Sequence, residues 1–158
     1  MRLSEPPPCL IVAHRRWEPL QRVISAVVSA EVQDVHVVID GARSIDEKLK
    51  IDTVEELVRD TKWPSGIQVH RRSTNRGVGY SVPEACDEFF VTRSSGIILE
   101  DDCVPTQEFF RLAEGGLKSY QQDHRVALVS GNCIATPPKG QMGWLVPEPT
   151  LRLSRYPL

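Results

Sequence analysis

Glu100, Asp101 and Asp102 stand as three consecutive carboxylates, directly after the apolar run Gly96-Ile97-Ile98-Leu99 and before Cys103-Val104-Pro105. Carboxylates this close repel one another, and at the mouth of a buried strand they gain little from bulk water. The arrangement therefore favours a bound cation or raised pKa values. A hard divalent ion suits it: Mg²⁺ and Mn²⁺ take oxygen ligands, and Mg²⁺ is often held by one or two carboxylates together with substrate phosphates. The competing reading is a solvated loop whose acids merely favour the next helix N-terminus. The triplet alone leaves both open. Cys103 follows the acids directly, and their charge would raise its thiol pKa and blunt it as a nucleophile.

The elements that must position these acids follow from hydrophobic periodicity. Gly96 to Leu99 reads as a strand buried on both faces, bounded by Gly and Pro. Cys9–Ala13 and Val35–Ile39 read the same way, and Ile67 with Val69 begins a further strand. Between them lie helical patterns. Leu20, Val23, Ile24, Val27 and Val28 form one apolar face after Pro19. Leu49, Val54, Leu57 and Val58 follow a capping box of Ser44 and Glu47. A second capping box, Ser81 with Glu84, is expected to start the helix that carries Pro83, Phe89 and Phe90. Thr106 caps a helix through Phe109, Phe110, Leu112 and Leu117 to Tyr120, weakened by Gly115-Gly116. Val126–Val129 reads as a fifth strand closing at Ser130-Gly131-Asn132.

This alternation predicts an α/β fold with a parallel sheet wrapped by helices. Ligands in such a sheet bind at the carboxyl ends of the strands. His14 to Arg16, Asp40 and Glu100 to Asp102 each follow a strand, so they should converge on one rim. Beyond Gly131 the pattern breaks up among Pro137, Pro138, Pro147, Pro149 and Pro157.

At 158 residues the chain can bury a sizeable single core. A formal net charge of -2 argues against nucleic acid as a partner, because a nucleic-acid binder carries a strongly basic domain. The longest apolar stretches are far below a membrane span. Met1 to Pro8 is polar and proline-rich, without the apolar core of a signal peptide. Cys9, Cys86, Cys103 and Cys133 form no C-x-x-C pair, which disfavours zinc and suggests a reducing, cytoplasmic setting. The four histidines, His14, His36, His70 and His124, lack metal-ligand spacing and read as structural.

Five pieces in order carry a likeness: A-H-R-R after the first strand, V-V-I-D-G at the second, N-R-G-V-G-Y-S-V-P-E-A before the third helix, I-I-L-E-D-D-C-V-P with a following F-F, and V-S-G-N. Together they resemble the nucleotide-diphospho-sugar transferases of the GT-A fold, over about residues 8 to 135. The likeness is to bacterial hemolytic-protein-like sugar transferases and, more distantly, to mannosyl-glycoprotein N-acetylglucosaminyltransferases. It implies a Rossmann-like GT-A core binding a nucleotide sugar over residues 1–135, with residues 136–158 beginning an acceptor-side region.

The resemblance implies a role for each matching residue. Asp102 would be the direct ligand of Mn²⁺ or Mg²⁺, which bridges the diphosphate, and Asp101 and Glu100 would hold ribose or metal-bound water. Asp40 would accept a hydrogen bond from a uracil ring, Arg16 would contact base or phosphate, and Ala13 would let the nucleotide approach the backbone. Arg76 and Ser81 lie where the family closes over the sugar nucleotide. The donor would be a UDP-sugar and the acceptor a glycan, lipid or protein hydroxyl. No general base is recognisable, so the resemblance implies the donor-binding half of a glycosyltransferase. Trp144, Leu145, Val146, Leu151 and Leu153 would then seek a partner chain or a second copy. Two other readings stay open, a non-catalytic nucleotide-sugar-binding or assembly module and a nucleotidyltransferase. A receiver-like acidic pocket is disfavoured because it gives Asp40 and Arg16 no joint role.

Overall fold

The computed structural model describes residues 6–131. Its elements run β1 (Cys9–Ala13), α1 (Trp17–Ser29), β2 (Val35–Ile39), α2 (Ile45–Asp60), β3 (Ile67–Arg71), α3 (Val78–Phe90), β4 (Ile97–Glu100) and α4 (Gln107–Tyr120). The strands form one sheet in the order β3-β2-β1-β4, and every pair is parallel. The chain is thus an α/β protein, whose described residues form a four-stranded parallel sheet and four helices.

Side chains alternate across this sheet. Cys9, Ile11, Ala13, Val35, Val37, Ile39, Ile97 and Leu99 enter one apolar cluster with the buried faces of α1 and α2 and with Phe110 of α4. Leu10, Val12 and Val38 point the other way, against Ala85 and Phe89 of α3. Helices therefore cover both faces. The central strands β1 and β2 are buried at every position, as their unbroken apolar runs require, whereas edge strand β3 alternates between half-buried and exposed.

Local signals explain most element ends. Thr106 accepts the backbone N–H of Phe109 at 3.2 Å and caps α4. Ser44 likewise accepts from Glu47 N, but Glu47 does not complete the reciprocal capping box. Its carboxylate takes the N–H of Arg43 instead, at 2.9 Å. In α2 the buried face includes Ile51, while Leu49 is exposed.

Two expectations are corrected. Helix α3 begins a turn earlier than the Ser81–Glu84 capping box implies: its N-cap is Gly77, at φ 73°, and Ser81 lies inside the helix, buried. A φ of that sign suits glycine, and Glu84 is drawn away to an ion pair with Arg72 at 2.8 Å. Val126–Val129 is not a fifth strand among the described residues. The N–H of Val126 turns back to the carbonyl of Asp123 at 2.9 Å, and the segment then lies along α4, with Val129 beside Gly116 and Gly131 against the ring of Phe109. Among the described residues, β4 is consequently an edge of the sheet.

Cys9, Cys86 and Cys103 are free thiols. No helix among the described residues is long and apolar enough to cross a membrane. Cys133 and the whole of 136–158, with its apolar residues Trp144 to Leu153, lie outside the described residues.

Candidate functional site

The chain leaves β1 for β2 and β3 on one side and returns to β4 on the other. The strand order therefore reverses between β1 and β4. In open α/β sheets the crevice outside the carboxyl ends at such a reversal is the place where ligands bind. The residues that follow β1 are His14, Arg15 and Arg16; those that close β4 are Glu100, Asp101 and Asp102.

These two segments meet. Arg16, the N-cap residue of α1, reaches across the crevice and donates one guanidinium nitrogen to Asp101 Oδ1 and the other to Asp102 Oδ2, the latter at 2.7 Å. Asp101 is buried, 3% exposed, and its second oxygen accepts the backbone N–H of His14 at 3.2 Å. Asp102 differs in kind: its side chain is 46% exposed and its other oxygen faces the Cys103 thiol at 3.7 Å. The hydrogen bond to Asp101, with the charges of both acids, raises the Arg16 pKa above its ordinary value. Burial, then the charge of Asp102, pushes the Cys103 thiol up, so it stays protonated near neutral pH.

A second assembly stands at the end of β2. Asp40, 5% exposed, accepts the N–H groups of Gly41 (3.0 Å) and Arg76 (2.9 Å) on Oδ1, and those of Gly77 (3.0 Å) and the Asn75 side chain (3.1 Å) on Oδ2. A carboxylate has about four lone-pair positions. All are therefore used by the chain itself, and a ligand N–H reaching Asp40 would have to displace one of these donors. The same loop passes so close to β2 that a Cβ on Gly41 would sit 2.2 Å from the carbonyl carbon of Thr74.

Between the two assemblies lies a charged bridge. His14 Nε2 is 3.1 Å from the carbonyl of Gly41, to which it donates in that tautomer, and 3.9 Å from Glu47. Glu47 also receives Arg15 and Arg43, and the Arg43 bonds hold its carboxyl below the usual range. His14 was expected on this rim but read as structural, and Asn75 and Glu47 were given no role at the site. Asn75 opens the quoted N-R-G-V-G stretch, and Arg43 to Glu47 is an i, i+4 pair; neither signal points to a ligand by itself.

Ala13 is buried at the end of β1, and its carbonyl accepts the N–H of Asp40 at 2.9 Å. Arg76 joins the site through its backbone; its side chain is turned to Glu84, 3.7 Å away. Ser81 is buried in the first turns of α3 on the face that also carries Ala85, and its Oγ has no hydrogen-bond partner among the described residues. Glu100 is exposed at the tip of β4.

Among the described residues, no group of three or more His, Cys, Asp or Glu side chains is arranged to hold a metal ion by itself. Asp102, half-exposed and bonded to Arg16, and Asp101, buried and bonded on both oxygens, are the carboxylates that could share an ion with a ligand, in the way Mg²⁺ is held by one or two carboxylates plus substrate phosphates and water.

No protein-family model matches the chain, and no curated protein matches its sequence.

Proposed function

We propose that the rim formed by β1, β2 and β4 binds a nucleoside diphosphate sugar, with uridine as the expected base, as the donor-binding part of a metal-dependent GT-A glycosyltransferase. The observation that carries this reading is the convergence of Arg16 with Asp101 and Asp102 across the crevice where the strand order reverses. A diphosphate needs positive charge and a planar donor fork, which Arg16 supplies. It also needs a site for its counter-ion, and Asp102 has the exposure for that.

The roles divide by burial. Asp101, fixed by the His14 N–H, aims the Arg16 guanidinium and stays a positioning residue. Asp102 would hold Mn²⁺ or Mg²⁺ together with the diphosphate oxygens. The bound ion supplies Lewis-acid neutralisation of charge on the leaving diphosphate. A nucleotide would approach the backbone at the end of β1, where Ala13 is small, and Asp40 holds the 75–77 loop and the N-terminus of α3 beside it. The orphaned Ser81 Oγ is a polar group at the same end of α3 that a closed, nucleotide-bound form would satisfy. Transfer to an acceptor hydroxyl asks for a carboxylate base, and the reading assigns that role to none of the described residues.

Equilibrium dialysis against uridine, guanosine and thymidine diphosphates with Mn²⁺ tests the reading. Retention of one of them, uridine first, supports it. Retention of triphosphates with release of pyrophosphate would favour a nucleotidyltransferase instead.

A further inference from the structure

Arg16 is the cation of the acidic crevice. Its fork spans Asp101 Oδ1 and Asp102 Oδ2, so the same guanidinium neutralises the carboxylate that the proposed divalent ion would use. Two unequal bonds hold it. Asp101 is buried and pinned by the His14 N–H, whereas Asp102 is 46% exposed and Arg16 itself 51% exposed. The Asp102 arm faces water and is the weaker of the two.

We propose that Arg16 is an internal counter-ion which makes metal and nucleotide bind as a unit. In the ligand-free chain the guanidinium competes with a divalent ion for Asp102. An incoming diphosphate offers the same fork a more highly charged acceptor, draws Arg16 off Asp102 while Asp101 keeps hold of its other arm, and so releases Asp102 for the ion. By linkage, metal then tightens nucleotide and nucleotide tightens metal by the same factor. The inference rests on the nucleoside diphosphate reading above, but its first half, competition between Arg16 and the ion, stands without any nucleotide.

The test is titration of the purified chain with Mn²⁺ alone, followed by the electron paramagnetic resonance signal of the free ion, and then repeated with uridine diphosphate. The wild type should take up Mn²⁺ weakly without nucleotide and more tightly with it. Arg16→Gln should bind Mn²⁺ alone about tenfold more tightly, within the usual range of a coupling of this kind, and its further gain on adding nucleotide should shrink by the same factor. Arg22→Gln, which removes an equal charge from the exposed face of α1, should leave Mn²⁺ uptake where it was. Circular dichroism melts establish that each variant is folded. If Arg16→Gln does not fold, Arg16→Lys keeps the charge, loses the fork, and should show a smaller tightening. Unchanged or weaker Mn²⁺ uptake in a folded Arg16 variant overturns the inference, as does equal tightening by Arg22→Gln. If the wild type binds no nucleotide while Arg16→Gln still gains Mn²⁺, the donor reading fails and the competition stands.

Discussion

Asp40 Oδ2 accepts the backbone N–H of Gly77 at 3.0 Å, across 37 residues of sequence. That bond, with those from Gly41, Asn75 and Arg76, ties the end of β2 to the N-terminus of α3. Because the site is built from loops at three strand ends, whatever fixes these loops to one another fixes the site.

Replacing Asp40 with Ala takes the acceptor from the N–H groups of Gly41, Arg76 and Gly77 in a nearly closed environment, while the Asn75 side chain keeps the carbonyl of Gly41 at 2.9 Å. One such loss costs about 1–3 kcal/mol. We expect Asp40→Ala to lose on the order of 3 kcal/mol in a denaturant melt, and Asp40→Asn to lose less, since it keeps one acceptor oxygen. A stability equal to wild type for Asp40→Ala would show that the carboxylate does not hold the loop.

Gly41 gives a sharper probe of the same contact. A Cβ there meets the carbonyl carbon and oxygen of Thr74 and the nitrogen of Asn75 at 2.2, 2.4 and 2.6 Å, all backbone atoms that cannot swing aside. Gly41→Ala should therefore destabilise by about 1–3 kcal/mol and disturb the loop at 74–77. Gly115, inside α4 with nothing within 4 Å of its would-be Cβ, should respond oppositely. Gly115→Ala is expected to gain up to about 1 kcal/mol in the same melt.

His36 predicts the acid branch of the stability curve. It is buried on β2 with Nδ1 unpartnered among the described residues, facing Phe89 of α3, and burial, then the charge of Arg93, lowers its pKa. Glu88 and Asp34 act the other way, while His70 adds to the lowering. With the native value depressed, the unfolded chain binds more protons between the two values. Stability is then complete above the unfolded value of about 6.5 and falls as pH drops through it towards the native one. His36→Leu should flatten that fall; an unchanged acid limb in melts from neutral pH downwards would contradict the assignment.

The central fold was legible where burial dictates composition. β1 and β2 lie at Cys9–Ala13 and Val35–Ile39 as the apolar runs indicate, because strands covered on both faces admit little else. Parallel topology brings the ends of β1, β2 and β4 to one rim, as their order in the chain indicates; the adjacency of β1 and β4, which was not legible in the sequence, is what lets Arg16 meet Asp101 and Asp102. The partners of Asp40 were not legible, since a carboxylate saturated by a loop 35 to 37 residues away has the same local sequence as one open to a ligand. The start of α3 was misread for a related reason. Glu84 has the spacing of a capping residue, yet the ion pair with Arg72, set by tertiary placement, takes it. Val126–Val129 has strand composition, but composition does not distinguish pairing with β4 from lying along α4.

Calorimetric titration of the chain with uridine diphosphate, with and without Mn²⁺, on the wild type and on Asp102→Ala, tests donor binding most directly. The wild type should give heat of binding with Mn²⁺ and far weaker binding without it, and Asp102→Ala should lose the Mn²⁺-dependent part. A folded wild type that binds no uridine diphosphate under either condition, or an Asp102→Ala variant whose Mn²⁺ dependence is intact, would contradict the donor-binding reading.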